Sequence, residues 1–247
     1  MVAGQPQRAG AEAADLLPEA SLRLSAARYL SAERDFQWTA WMGGGIGLLR
    51  VGRVSLLGSA DVETIIGNER RGFDANQANY RLDTSLRVAL GRRAAALFFN
   101  HVSRHTQDRS KPQAVDWNTV GVRFSGPLAE TPFPTRFLAS AGHTTLTSLV
   151  GYRFEGVLRL EADLATRPWG QLFFDAELRG VTAEPSALFP RSGFVDAKGE
   201  AGIRLRRGAR SAELFLAYEH RNDVYLTQPG SRTRGLLGLR LGVHDTE

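Results

Sequence analysis

The sequence predicts an all-β protein: a transmembrane, antiparallel, up-and-down β-barrel of about 12 strands. Three observations carry this. Apolar and polar residues alternate with a period of two from residue 21 to residue 243, and no helical periodicity competes with that pattern. The polar half of the alternation is charged, with both signs mixed on nearly every strand. Finally, short connections alternate with long ones, as they do where turns gather at one end of a barrel and loops at the other.

Residues 1–19 are rich in Ala, Gly, Glu and Pro and read as a flexible lead-in, with a helical turn around Ala11 to Leu17. The barrel is expected to occupy 20–247. Its predicted strands are 21–30, 35–49, 52–65, 77–90, 93–105, 116–125, 133–144, 149–164, 169–181, 194–206, 209–221 and 231–243. In 52–65, Val54, Leu56, Gly58, Ala60 and Val62 share one face, against Arg53, Ser55, Ser59, Asp61 and Glu63. The stretch YRFEGVLRLEAD sets Tyr152, Phe154, Leu158 and Leu160 against Arg153, Glu155, Arg159, Glu161 and Asp163. QLFFDAELR repeats the pattern with Asp175, Glu177 and Arg179. Strands of about ten residues match the length a tilted strand needs to cross a bilayer.

A soluble sandwich would show the same alternation with its charged face in water. Mixed-sign rows fit a lumen better, because there Arg pairs with Glu and Asp across strands; Arg159, Glu161, Asp175 and Glu177 are such lumen charges. Trp38, Trp41, Trp117, Trp169, Tyr29, Tyr80 and Tyr152 fall near strand ends and are expected to form interfacial aromatic girdles. The run GGGIG at 43–47 lacks the strand-to-helix setting of a nucleotide fingerprint and marks a strand kink or close packing.

Composition narrows the rest. The chain has 247 residues and no cysteine, so disulfides and thiolate chemistry are excluded. Its net charge of +5 is spread along the strands rather than gathered in one patch, so no nucleic-acid partner is expected. The opening MVAGQPQRAGAEAADLLPEA lacks the apolar stretch of a signal peptide. The expected location is nevertheless a bacterial outer membrane, with lipid and lipopolysaccharide as partners.

The chemistry-bearing stretch is LFFNHVSRHTQDRSKPQAVDWN, residues 97–118. On a strand, His101, Ser103 and His105 leave the same face, with Cβ atoms of successive members roughly 7 Å apart. A serine nucleophile needs a base within reach and a group that orients the base. Here His101 and Ser103 supply the first two, and Asp116 on the next strand is the candidate third. Leu97 and Phe99 share their parity, so all three candidates look outward, toward lipid. His101 and His105 are also imidazoles for a metal, beside Asp108 or Asp116, but on a strand they stand roughly 13 Å apart. No metal and no cofactor is therefore expected. Arg70, Arg71, Arg104, Arg109 and Lys111 gather near the same rim and suit lipid phosphate.

Phe99, His101 and Ser103 form a Phe-x-His-x-Ser strand, which resembles the outer-membrane lipid A deacylases, barrels with the nucleophile on the outer wall. The resemblance implies that Ser103 attacks an ester-linked acyl chain with His101 as base. It departs from that family in Arg104, where a small amide side chain is usual, in Asp116 in place of a glutamate, and in strand number. The alternative expectation is a barrel without catalysis, either a narrow channel or a structural, lipopolysaccharide-binding protein.

Overall fold

A computed structural model of the chain describes residues 14–31, 33–106, 115–186, 189–223 and 230–244. Strand β1 is Ala14–Leu16; the long strands are β2 Ala20–Tyr29, β3 Trp38–Val51, β4 Val54–Gly67, β5 Asp74–Leu90, β6 Arg93–Thr106 and β7 Val115–Pro127. They continue as β8 Thr135–Ser148, β9 Tyr152–Arg167, β10 Gly170–Ala183, β11 Gly193–Arg207, β12 Arg210–Asn222 and β13 Ser231–His244. From β2 onward each strand pairs antiparallel with its chain neighbour, and β13 returns to β2 from Leu236↔Tyr29 to His244↔Ser21. The twelve long strands thus close into a barrel, which leaves the sheet without long free edges.

Residues 14–16 are extended rather than helical: β1 prolongs the first staves of the barrel by pairing with Leu49–Val51 of β3. Two-residue turns join β3 to β4, β5 to β6, β9 to β10 and β11 to β12. Gly52, Gly91 and Gly208 supply the positive φ these turns require. They lie at one end of the barrel with residues 14–16 and His244, the turn end. The longer β7–β8 connection, 128–134, lies at that end too, and β2/β3, β4/β5, β6/β7, β8/β9, β10/β11 and β12/β13 are joined at the other, the loop end. The GGGIG run does both things its composition suggests. A bulge follows Gly47, and a Cβ at Gly43 would strike Asp61 and the Trp41 ring.

The two faces differ as the alternation requires. Leu97, Val122, Leu216 and Leu239 point outward and are more than half exposed on the isolated chain. Such a band is unstable in water and matched to hydrocarbon. Inside, the charges pair. Arg159 binds Asp175 through two nitrogens. Arg204 reaches Glu213 at 2.6 Å and Glu161 at 3.0 Å, Arg240 joins Glu213 to Glu200, and Arg179 joins Glu155 to Asp196. Arg221 holds Glu63 at 2.7 Å. Glu177 faces the same interior, on the wall of a cavity of about 300 Å³ shared with Arg23, Asp61 and Arg81.

A three-part unit recurs on the inner wall. Phe98, Phe173 and Phe215 stand directly opposite Gly121, Gly202 and Gly238 on the next strand. Each ring lies so close to its glycine that a Cβ there would meet it. Two residues beyond each glycine, Arg123, Arg204 and Arg240 lay their guanidinium groups over the same rings at 4.7, 4.6 and 4.5 Å. Every unit thereby converts an apolar ring into a seat for an inward-facing cation.

The aromatic girdle needs correcting. Tyr29, Trp117 and Tyr152 are almost fully buried, and Trp41 lines the interior cavity. Position near a strand end does not choose a face; parity does, and these residues share parity with the charges. Tyr29 packs with Phe36 and Leu236 beneath Arg234, while Trp117 and Tyr152 pack with Val150 and Phe189 beside Arg179. These two clusters fill part of the interior, with Tyr29, Phe36, Trp117 and Tyr152 toward the loop end. Tyr80 and Trp169 remain outside, 43% and 59% exposed.

Candidate functional site on the outer wall

Strand β6 carries the interior alternation up to the loop end, where Val102 and Arg104 line the cavity. The residues that alternate with them, His101, Ser103 and His105, therefore leave the outer wall, in line with exposed Leu97 and Phe99. The ladder to β7 pairs His101 with Asn118 and Ser103 with Asp116, and both partners also face outward. On the other side, β5 places Tyr80 opposite Ser103.

His101 Nδ1 lies 2.6 Å from Asn118 Oδ1. An amide oxygen can accept but not donate, so Nδ1 carries a hydrogen, and in the neutral imidazole Nε2 keeps its lone pair. That is the tautomer a general base needs. Ser103 Oγ lies 2.6 Å from Nε2 of His105, whose ring meets the Tyr80 ring edge-on at 5.6 Å. The serine thus sits between two imidazoles along its own strand, with Asp116 and Tyr80 across from it.

Of the three residues expected to work together, the fold puts His101 and Ser103 on one outward face and Asp116 across from Ser103. The oxygen that meets His101, however, belongs to Asn118. Asn118 shares the parity of Asp116 and could have been considered with it; what selects between them is the β6–β7 register. A bulge adjoins the selected residue. β8 pairs Leu146 with Asn118 and Thr144 with Thr119, which leaves Thr145 as the extra residue, its hydroxyl donating to the Asn118 carbonyl. Bulges sharpen local twist and re-aim neighbouring side chains.

The cationic patch divides. Arg70 and Arg71 are exposed in the loop between β4 and β5, with Arg71 Nε 3.2 Å from Asp74. Arg104 does not belong with them: it points inward, is 8% exposed and donates to the carbonyl of Asp223. Its parity is that of Val102, so it cannot meet lipid outside the wall. Asp108, Arg109 and Lys111 lie outside the described residues.

The sequence matches no protein-family model and none of the curated proteins. Solved structures do match. The outer membrane phospholipase of Salmonella typhi, whose structure is a dimer with bound calcium, aligns with a TM-score of 0.60 over 90% of this chain and 90% of its own, at 12% identity. An outer-membrane channel from Pseudomonas putida F1 aligns at 0.55 over 98% of this chain and all of its own, at 8% identity. Both likenesses are of fold. With the closed sheet, the apolar outer band and the charged interior, they define this chain as an outer-membrane β-barrel protein.

Proposed function

We propose that the protein is an outer-membrane ester hydrolase that cleaves acyl esters of membrane lipids, with Ser103 as nucleophile and His101 as general base. The observation that carries this reading is the His101–Asn118 hydrogen bond beside Ser103 on a lipid-facing wall. Ser103 faces lipid with its hydroxyl bonded to an imidazole nitrogen, which places it for nucleophilic use.

In this reading the loop end faces outward from the cell, as in barrels generally, and the site lies at the level of the outer leaflet's ester groups. Lipid arrives laterally. His101 Nε2 takes the Ser103 proton as Oγ attacks the acyl carbonyl; the alcohol leaves and water releases the fatty acid. Asn118 keeps the imidazole in its tautomer and orientation. Arg70 and Arg71, exposed one strand away from β6, carry guanidinium groups of the kind that binds a lipid phosphate. The Phe99–His101–Ser103 strand supports lipid A as substrate, and the phospholipase of like fold supports glycerophospholipid. The acyl ester is common to both. The channel alternative has less behind it, since ion pairs and two aromatic clusters occupy much of the described interior around a cavity of about 300 Å³.

The test is mass spectrometry of fatty acids released by the folded protein in detergent from a diacyl glycerophospholipid and, separately, from lipid A. The reading expects release from at least one, lost in Ser103→Ala, and a fluorophosphonate adduct on Ser103. A folded barrel that forms no adduct and releases no fatty acid from either lipid would remove the ester-hydrolase reading.

A further inference from the structure

The Ser103 hydroxyl is bonded to His105, and the imidazole held in the base tautomer is His101. One histidine suffices to run both halves of a serine acyl transfer. Here two flank the nucleophile, one on each side along β6, and the second is held edge-on by Tyr80 from the neighbouring strand. The Ser103–His105 bond can be drawn in either direction, because an imidazole Nε2 donates or accepts according to its protonation.

We infer that His105 is a second catalytic imidazole, which protonates the departing alcohol while His101 handles the serine proton. This rests on the ester-hydrolase reading and adds a division of labour to it. The protons balance over the cycle. In acylation, His101 Nε2 takes the hydroxyl proton and Oγ forms a bond to the acyl carbon. As the tetrahedral centre collapses, the ester C–O bond breaks and His105, entering as imidazolium, gives its Nε2 proton to the alkoxide. In deacylation, neutral His105 takes a proton from water as the hydroxide adds to the acyl-enzyme. Collapse breaks the bond to Oγ, and His101 returns its proton to Ser103. Both histidines end as they began.

The geometry favours this assignment over a purely structural one. An imidazole nitrogen 2.6 Å from Oγ lies within reach of an alcohol oxygen leaving the same tetrahedral carbon. A residue needed merely to fill space beside Tyr80 would not have to present nitrogen to the nucleophile.

Leaving-group chemistry tests it. A p-nitrophenyl acyl ester expels a stable anion and needs no proton, whereas a glyceryl ester expels an alkoxide and does. The full-length barrel in detergent is assayed with both esters as wild type, His105→Phe and His101→Phe, with folding checked by heat-dependent gel mobility. Phe keeps the ring against Tyr80. The expected result is that His105→Phe loses about 100-fold or more on the glyceryl ester and largely retains the pre-steady-state burst of p-nitrophenolate, which reports acylation alone, while His101→Phe loses both. Equal losses on the two esters, or no loss on either, would overturn the role of His105. Retention of both activities by His101→Phe would also overturn it, by making His105 the base. If the wild type hydrolyses neither ester and Ser103 takes no fluorophosphonate, the ester-hydrolase reading itself fails, an outcome separate from any of these.

Discussion

Asn118 Oδ1 accepts a hydrogen bond from His101 Nδ1 across one rung of the β6–β7 ladder, while Asp116, the nearest carboxylate on that strand, stands opposite Ser103 instead. This pairing ranks the two residues as partners of the base. Asn118→Leu removes the orienting bond, worth about 1–3 kcal/mol, and is expected to slow ester hydrolysis by about 10- to 100-fold. Asn118→Asp keeps an acceptor and adds charge beside the imidazolium, so activity should persist. Asp116→Asn should cost less than Asn118→Leu. Rates of fatty-acid release for the three variants decide the matter, and a larger loss for Asp116→Asn would return the role to the carboxylate.

The bulge on β8 makes a second prediction. With Thr145 deleted, β8 can pair with β7 without the extra residue, and the twist that aims Asn118 is lost. The barrel should still assemble, because the change touches one strand pair. Displacing a catalytic group by about 1 Å costs about 100-fold in rate, and a loss of that order is expected. Full activity in a folded Thr145 deletion would mean the bulge has no part in positioning.

The strands were legible because lipid and a charged interior impose opposite demands on alternate residues. Predicted 93–105 becomes Arg93–Thr106, and predicted 231–243 becomes Ser231–His244. Drift is larger at 149–164, which begins at Tyr152, because beyond the rim Leu149 to Gly151 experience no such contrast. The outward face of His101 and Ser103 was legible for the same reason: both continue the parity of Leu97 and Phe99. Register was not legible. It depends on the geometry of the β6–β7 loop, and so Asn118 was passed over for Asp116. His105, weighed as a metal ligand, emerged beside Ser103 through side-chain rotamer, which alternation does not encode. The ring units were half visible. Gly121, Gly202 and Gly238 are each followed two residues on by Arg, but so are Gly91, Gly151, Gly208 and Gly230, and it takes register to find a phenylalanine opposite the first three.

The interior bears on the channel alternative. Arg159–Asp175 and Arg179–Glu155 tie neighbouring strands on the inner wall, Arg221–Glu63 spans from β12 to β4, and the clusters around Tyr29 and Trp117 occupy further interior space. Planar bilayers containing the folded wild type should therefore show no steady ohmic conductance. Arg159→Ala should leave ester hydrolysis intact, since that residue faces away from the site. A stable, ion-selective conductance altered by Arg159→Ala and by Glu177→Gln would favour a pore.

Arg204 carries the largest expected effect on stability. Its side chain is 7% exposed, lies over Phe173 and contacts Glu213, Glu161 and Asp163. Removing one partner of a buried ion pair leaves the other charge uncompensated, at a cost of about 3–5 kcal/mol. Arg204→Met does this to several carboxylates at once. Its urea unfolding midpoint in lipid vesicles should fall accordingly. Adding Glu213→Gln should recover part of the loss, because the carboxylate nearest the missing guanidinium is then neutral, although Arg240 loses one of its two partners. A shift within about 0.5 kcal/mol, the range of ordinary surface substitutions, would show that water already screens these interior charges, and the ion-pair network would then add little to what the ladder hydrogen bonds and the closed sheet provide.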